Sequence, residues 1–184
     1  MLLRRMRPDD AASVRDFLNR LSPTARRYRF FSPVNSFSEQ MVTRLVDVDR
    51  SRECALAVVC LEKGKEISVG GGRFVVDDAG SACEFSLLVG DDWQGQGVGR
   101  RILATLVERA ARRGLRQIAG DVLAENRGMI ALGRALKFEV MASDEGPAVV
   151  RLVRDLAPPS SGLLDRLVGK LGRWRRKIRR PRKA

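Results

Sequence analysis

Apolar positions recur three and four residues apart near the start of the chain and then change to short alternating or continuous runs, so helices are predicted first and strands after them. Leu2 to Met6 can form an opening strand. The stretch "PDDAASVRDFLNRL" offers aspartate caps and places Val14, Phe17, Leu18 and Leu21 on one helical face. "SPTARRYRFFSP" reads as a short helix between prolines. "SFSEQMVTRLVDV" has Ser36 and Glu39 in capping-box spacing ahead of Met41, Val42, Leu45 and Val46. From Cys54 the pattern shortens: "CALAVVCLE", "EISVGGGRFVV" and "ACEFSLLV" are separated by the turn signals "KGK" and "DDAGS", which predicts three consecutive antiparallel strands.

The second half alternates. A helix is predicted from about Gly97 to Arg113, a strand at "QIAGDVL", a helix from about Arg127 to Leu136, and strands near 138–141 and 148–153. An α/β fold follows, with a mixed sheet and helices packed on it. Pro158 and Pro159 followed by "SSG" mark a linker. The expected division is a globular domain at 1–155, a linker at 156–162 and a separate tail at 163–184.

Charge supports that division. The net charge is +13, but residues 160–184 hold ten Lys or Arg and one Asp, a net of +9, leaving +4 for the rest. In "LLDRLVGKLGRWRRKIRRPRKA" the residues Leu163, Leu164, Leu167, Leu171, Trp174 and Ile178 recur at helical intervals among the basic ones. That is the pattern of a basic amphipathic helix on an anionic membrane surface, and equally of an arm that binds nucleic acid or the ribosome. A bland solvated tail is the third reading. No apolar run approaches the roughly 18 residues that span a bilayer, and charges come too early for a secretory signal, so a cytoplasmic location is expected, with a peripheral position at the inner membrane surface open to the tail.

Histidine is absent. Ser-His-Asp and Cys-His hydrolases, two-histidine metalloproteases and the usual zinc fingers are therefore excluded, and no metal site is expected. Cys54 and Cys60 share one predicted strand about 20 Å apart, so buried reduced thiols are expected.

"WQGQGVGRRIL" sets Gly95, Gly97 and Gly99 at alternate positions directly before a helix. A helix entrance exposes unpaired amides and a partial positive charge, glycine lets an anion approach the main chain, and Arg100 and Arg101 add cationic charge. A diphosphate fits such a loop. The dinucleotide fingerprint fails, because Arg100 and Ile102 stand where its third glycine is needed, and no Gly-Lys-Ser/Thr follows for a P-loop. A tight strand-to-helix turn is the simpler alternative.

"QGQGVG", Gln94 to Gly99, resembles the Q/R-x-x-G-x-G/A motif of the GNAT acetyltransferases. Its setting is similar too: a preceding strand "SLLV", a following helix, then "ENRGMIALGRALKFE" resembling the family's asparagine-led helix. The resemblance runs from about Leu2 to Val153. Within the family, "LSPTARRYRFF" and "VDVDRSRECALAVV" resemble bacterial protein-lysine acetyltransferase catalytic domains.

The resemblance implies the GNAT fold and acetyl transfer from acetyl-CoA to an amine, a protein lysine or N-terminal amine first, without a metal. It implies that Leu87, Leu88 and Val89 offer main-chain partners to pantetheine in a splay between the fourth and fifth strands. Gln94, Gly95, Gln96, Gly97, Val98, Gly99 and Arg100 would hold the diphosphate, and Asn126 would lie near the thiol end or simply cap its helix. A free lysine, with a pKa near 10.4, is neutral about once in 2,500 molecules at pH 7, a deficit of roughly 4.6 kcal/mol that a carboxylate base can partly offset. Glu84 matches the position of the glutamate base in protein-lysine acetyltransferases, and Asp121 that of the base in ribosomal-protein N-acetyltransferases.

Two positions depart from the family pattern: Gly133 replaces the usual tyrosine acid, and Lys137 the glycine before Phe138. Tyr28, the one tyrosine, lies in "RRYRFF", which either lines the acceptor side or is a helix half buried in the core. A small-molecule amine acetyltransferase and a silent acyl-CoA sensor held by its tail are the alternatives.

Overall fold

In the computed structural model, residues 1–156 are described. The chain runs β1 (Leu2–Arg5), α1 (Ala11–Asn19), α2 (Pro23–Phe30), α3 (Glu39–Val46), β2 (Glu53–Glu62), β3 (Lys65–Val76), β4 (Ala82–Val89), α4 (Val98–Arg112), β5 (Gln117–Leu123), α5 (Arg127–Ala135), β6 (Glu139–Ala142) and β7 (Val149–Asp155). The expected elements are all present. The expected basic amphipathic tail, and the linker from residue 157 on, lie outside the described residues.

The seven strands form one mixed sheet in the order β1-β2-β3-β4-β5-β7-β6. Only β4 and β5 are parallel neighbours, joined by α4 as a crossover. One face of the sheet is covered by α4, whose Ile102, Leu103 and Leu106 are fully buried against Leu56, Phe74 and Ile118. The other face carries α1 to α3, with a smaller core of Val14, Phe17, Leu18, Val42 and Val46. On β4 the two-residue period sends Cys83, Phe85 and Val89 into the α4 side, while Leu88 packs with the α1–α3 cluster. Glu84 and Ser86 share that second face.

Two expected caps are relocated. The side chain of Ser38, not Ser36, accepts the Met41 amide at 3.2 Å and starts α3. Asp10 precedes α1 but caps none of its amides. Its carboxylate accepts from the Arg7 amide at 2.8 Å and from both terminal nitrogens of Arg4, because a buried acid is stabilised far more by a guanidinium fork than by a single amide. Ser22 does cap α2, accepting the Ala25 amide at 3.1 Å.

The three cysteines are free, Cys54 and Cys83 buried and Cys60 half-buried on β2. Burial pushes the Cys83 thiol up to about 12 and raises Cys54 and Cys60 as well, so these are packing residues.

Candidate active site

β4 and β5 pair over only three positions, Ala82–Gln117, Cys83–Ile118 and Glu84–Ala119, although β4 continues to Val89 and β5 to Leu123. Beyond Glu84 the two strands part. At the parting point the strands are still in close contact: a Cβ on Gly120 would stand 2.8 Å from both the carbonyl oxygen and Cε1 of Phe85. The Phe85 ring is itself braced edge-on against Phe138 at 5.4 Å. The β5-facing edge of residues 85–89 is therefore left without a strand partner, an edge open to an extended ligand.

A cleft of about 750 Å³ opens there. Leu87, Leu88 and Val89 form one wall, with Gln94, Gly95, Gly97, Gly99 and Arg100 at one end. Glu84, Asp121 and Asn126 also line it, and Tyr28 and Arg29 reach it from α2.

The glycine loop owes its shape to two different demands. Gly95 and Gly97 have φ of +69° and +82°, a conformation that side chains with a Cβ rarely adopt, and nothing lies within 4 Å of where a Cβ would be. Gly99, already inside α4, is small because a Cβ would press within 3.3 Å of Leu132 on α5. Gly97 caps α4 with no side chain hydrogen-bonded to the helix entrance, leaving the first-turn amides open to an anion. Both glutamines brace the loop: Gln94, which also lines the cleft, donates to the Val89 carbonyl at 3.2 Å and Gln96 to that of Asp92 at 2.7 Å. Val98 is buried in the core. Of the residues assigned to the loop, Gln96 and Val98 thus contribute no side chain to the cleft wall.

The two candidate bases differ in their partners. Both oxygens of Asp121 are taken: Arg151, its cross-strand neighbour on β7, donates at 2.6 Å and Ser143 at 2.9 Å. Glu84 is exposed in the cleft and has no hydrogen-bond or ion-pair partner among the described residues. Asn126 is the N-cap of α5, accepting the Met129 amide at 3.0 Å, and also lines the cleft.

Two contacts had no signal in the sequence pattern. Ser22 donates through its amide and hydroxyl to Asp91 at 2.9 and 2.6 Å, tying α2 to the glycine loop. Arg27 on α2 is ion-paired with Glu125 just after β5. Each joins residues more than sixty positions apart. From the "RRYRFF" stretch, Tyr28 and Arg29 wall the cleft.

The profile of the "Acetyltransferase (GNAT) family" matches residues 18–138, about two thirds of the chain. The chain belongs to the GNAT acetyltransferase family. It is 33% identical over 138 residues to "Acetyltransferase PA5475" of Pseudomonas aeruginosa, covering 75% of this chain and 74% of that one. It superposes on the GNAT domain of S. lividans PAT with a TM-score of 0.74 and 28% identity, covering 84% of this chain and 89% of the other. The structure of yncA from Salmonella typhimurium with its cofactor acetyl-CoA is similar at a TM-score of 0.67 and 21% identity, over 88% and 98% of the two chains.

In this GNAT protein, packing explains why Gly133 stands where the resemblance implies a tyrosine. A Cβ on Gly133 would lie 2.7 Å from Leu152 Cδ1 on β7. Leu152 is fully buried, so α5 sits closer to the sheet here than a larger residue would allow. Lys137 adopts φ +62° after α5, the turn conformation that a glycine commonly supplies. Among the described residues no group of three His, Cys, Asp or Glu side chains could hold a metal, and no helix is long and apolar enough to cross a membrane.

Proposed function

We propose that this GNAT acetyltransferase transfers acetyl from acetyl-CoA to the amine of a protein lysine or N-terminus by direct attack, with Glu84 as general base. The observation that carries the reading is the parting of β4 from β5 beside the uncapped glycine loop, with an unpartnered carboxylate at the parting point.

The chain's residues divide the work. Free amides at Gly95 to Arg100, with the Arg100 cation, are suited to the diphosphate of the cosubstrate. The unpaired edge at Leu87 to Val89 is suited to the amides of pantetheine, which would add as a short strand. Bound acetyl-CoA supplies an electrophilic thioester carbonyl. Glu84 then takes a proton from the ammonium of the acceptor, directly or through water, so that the neutral amine attacks. Asp121 orients β7 through Arg151 instead of acting as base. With Gly133 in the tyrosine position, the thiolate of CoA, whose pKa is near 8.5, leaves unassisted or takes its proton from water.

For the rest of the chain the proposal is that residues 1–155 form the catalytic domain of a cytoplasmic enzyme, 156–162 a linker, and 163–184 a basic tail that binds either an anionic membrane surface or nucleic acid such as the ribosome's.

The test is CoA release by the wild type, Glu84→Gln and Asp121→Asn with lysine peptides and amine-bearing proteins. Loss of turnover in Glu84→Gln with retained acetyl-CoA affinity supports the reading. Full activity of Glu84→Gln overturns the base assignment, and acetyl-CoA binding without turnover on any acceptor favours a silent sensor.

A further inference from the structure

We propose that the acceptor half of the cleft contains a carboxylate-binding subsite at Arg29, so that the preferred amine is one with a carboxylate close to it. This rests on the acetyl-transfer reading and specifies its substrate class.

Arg29 lies on α2 and borders both the 750 Å³ cleft and a small apolar recess beneath the helix, which it shares with Ser86 and Leu88 of β4. Its guanidinium has five donors, yet among the described residues it donates no hydrogen bond and meets no carboxylate; its one partner is the face of the adjacent Phe30 ring at 5.1 Å. The arginines around it are engaged. Arg26 donates to the carbonyls of Asn19, Val34 and Asn35, Arg27 pairs with Glu125, and Arg73 pairs with Glu53. Burial, and then the nearby Arg73 cation, depress the pKa of Arg29, although a guanidinium stays charged at neutral pH.

A half-buried cation with unused donors beside a second cation is unfavourable until an anion reaches it. The phosphates of the cosubstrate belong at the glycine loop, which follows the far end of β4. Arg29 instead stands on the face of the sheet that carries Glu84 and Ser86, the side that α2 covers. Glu84 and Arg29 line one cleft but form no ion pair with each other. One wall therefore offers a carboxylate for an ammonium and, separately, a planar fork for a carboxylate, a pairing suited to a molecule that carries both charges. The sources of such a carboxylate are the α-carboxylate of a free amino acid and an acidic side chain next to the reacting residue in a peptide.

The experiment compares kcat/KM for lysine against lysinamide, and for a peptide with glutamates flanking its lysine against the same peptide with glutamines, in the wild type, Arg29→Gln and Arg29→Lys. The wild type is expected to favour the carboxylate-bearing member of at least one pair by about tenfold or more, mainly through KM. Arg29→Gln should bring that ratio close to one, and Arg29→Lys should restore part of it. The pair that discriminates identifies the source. Equal rates for both pairs in the wild type, or an equal loss on charged and neutral acceptors in Arg29→Gln, overturn the subsite. Calorimetric binding of lysine against lysinamide and of the two peptides to the CoA-loaded wild type gives a second readout that needs neither turnover nor a variant: no preference for the carboxylate-bearing member of either pair also overturns it. Failure to bind acetyl-CoA at all would instead count against the acetyl-transfer reading.

Discussion

Gly120 on β5 is pressed against Phe85 on β4, with room for no further atom: a Cβ there would sit 2.8 Å from the Phe85 carbonyl oxygen. The contact falls one residue past the last pair of the β4–β5 ladder, at the closed end of the opening. Gly120→Ala should therefore lower stability by roughly 1–3 kcal/mol, the usual effect of overpacking, and weaken acetyl-CoA binding. Urea denaturation and calorimetry check the two effects, and a variant with wild-type values in both would contradict the tight contact.

Glu84 and Asp121 should separate cleanly on substitution. Glu84→Gln is expected to lower kcat/KM at neutral pH by about 10²–10⁴ with little change in unfolding free energy. Asp121→Asn removes the acceptor from Arg151 and should cost roughly 1–2 kcal/mol of stability, since this pair is only partly buried, while activity falls less. Steady-state kinetics beside chemical denaturation reads both.

Restoring the family's tyrosine will not by itself improve the enzyme. Gly133→Tyr places its Cβ against Leu152 Cδ1 and should destabilise the fold by about 1–3 kcal/mol. Combined with Leu152→Ala, the loss should be smaller than the sum of the two single losses, because the truncation relieves the clash. Thermal melting of the single and double variants tests this, and a single variant as stable as the wild type would contradict the packing argument.

Asp10 gives the fold an acid-sensitive point. Burial raises its pKa, but hydrogen bonds from Arg4 and the Arg7 amide outweigh burial and hold it below the ordinary 3.8. A depressed folded pKa means that the Arg4–Asp10 contribution is complete above about pH 4 and is lost as pH falls through the folded value. Arg4→Met should thus destabilise the protein by roughly 3 kcal/mol at pH 7, with both side chains of the pair nearly buried, and by clearly less at pH 3. Urea denaturation at the two pH values measures the difference.

The thiols should be quiet. Burial raises all three, so a thiol reagent at pH 7 should modify half-buried Cys60 slowly and Cys54 and Cys83 only on unfolding. Rapid labelling of any one of them in the folded protein would contradict this.

The order of elements was legible because periodicity and turn residues act over short distances: Val14, Phe17 and Leu18 mark one buried face whatever they pack against. The glycine loop was legible because a positive φ and an open helix entrance leave a trace in residue type. Caps were less so, since Ser36 and Ser38 are chemically equal and only the exit angle of the chain chooses between them. What the pattern could not give was set by long-range register. That Arg151 comes to face Asp121 depends on β7 inserting between β5 and β6, and that α2 is tied to the loop before α4 depends on Ser22 meeting Asp91.

The central claim is that free amides between Gly95 and Arg100 grip the diphosphate of coenzyme A. It is tested most directly by calorimetric titration of the protein with acetyl-CoA and, separately, with acetylpantetheine, which keeps the thioester arm but lacks the diphosphate. Several charge-assisted hydrogen bonds should make acetyl-CoA bind at least about 100-fold more tightly. Equal affinity for the two, or no binding of acetyl-CoA, would contradict the account.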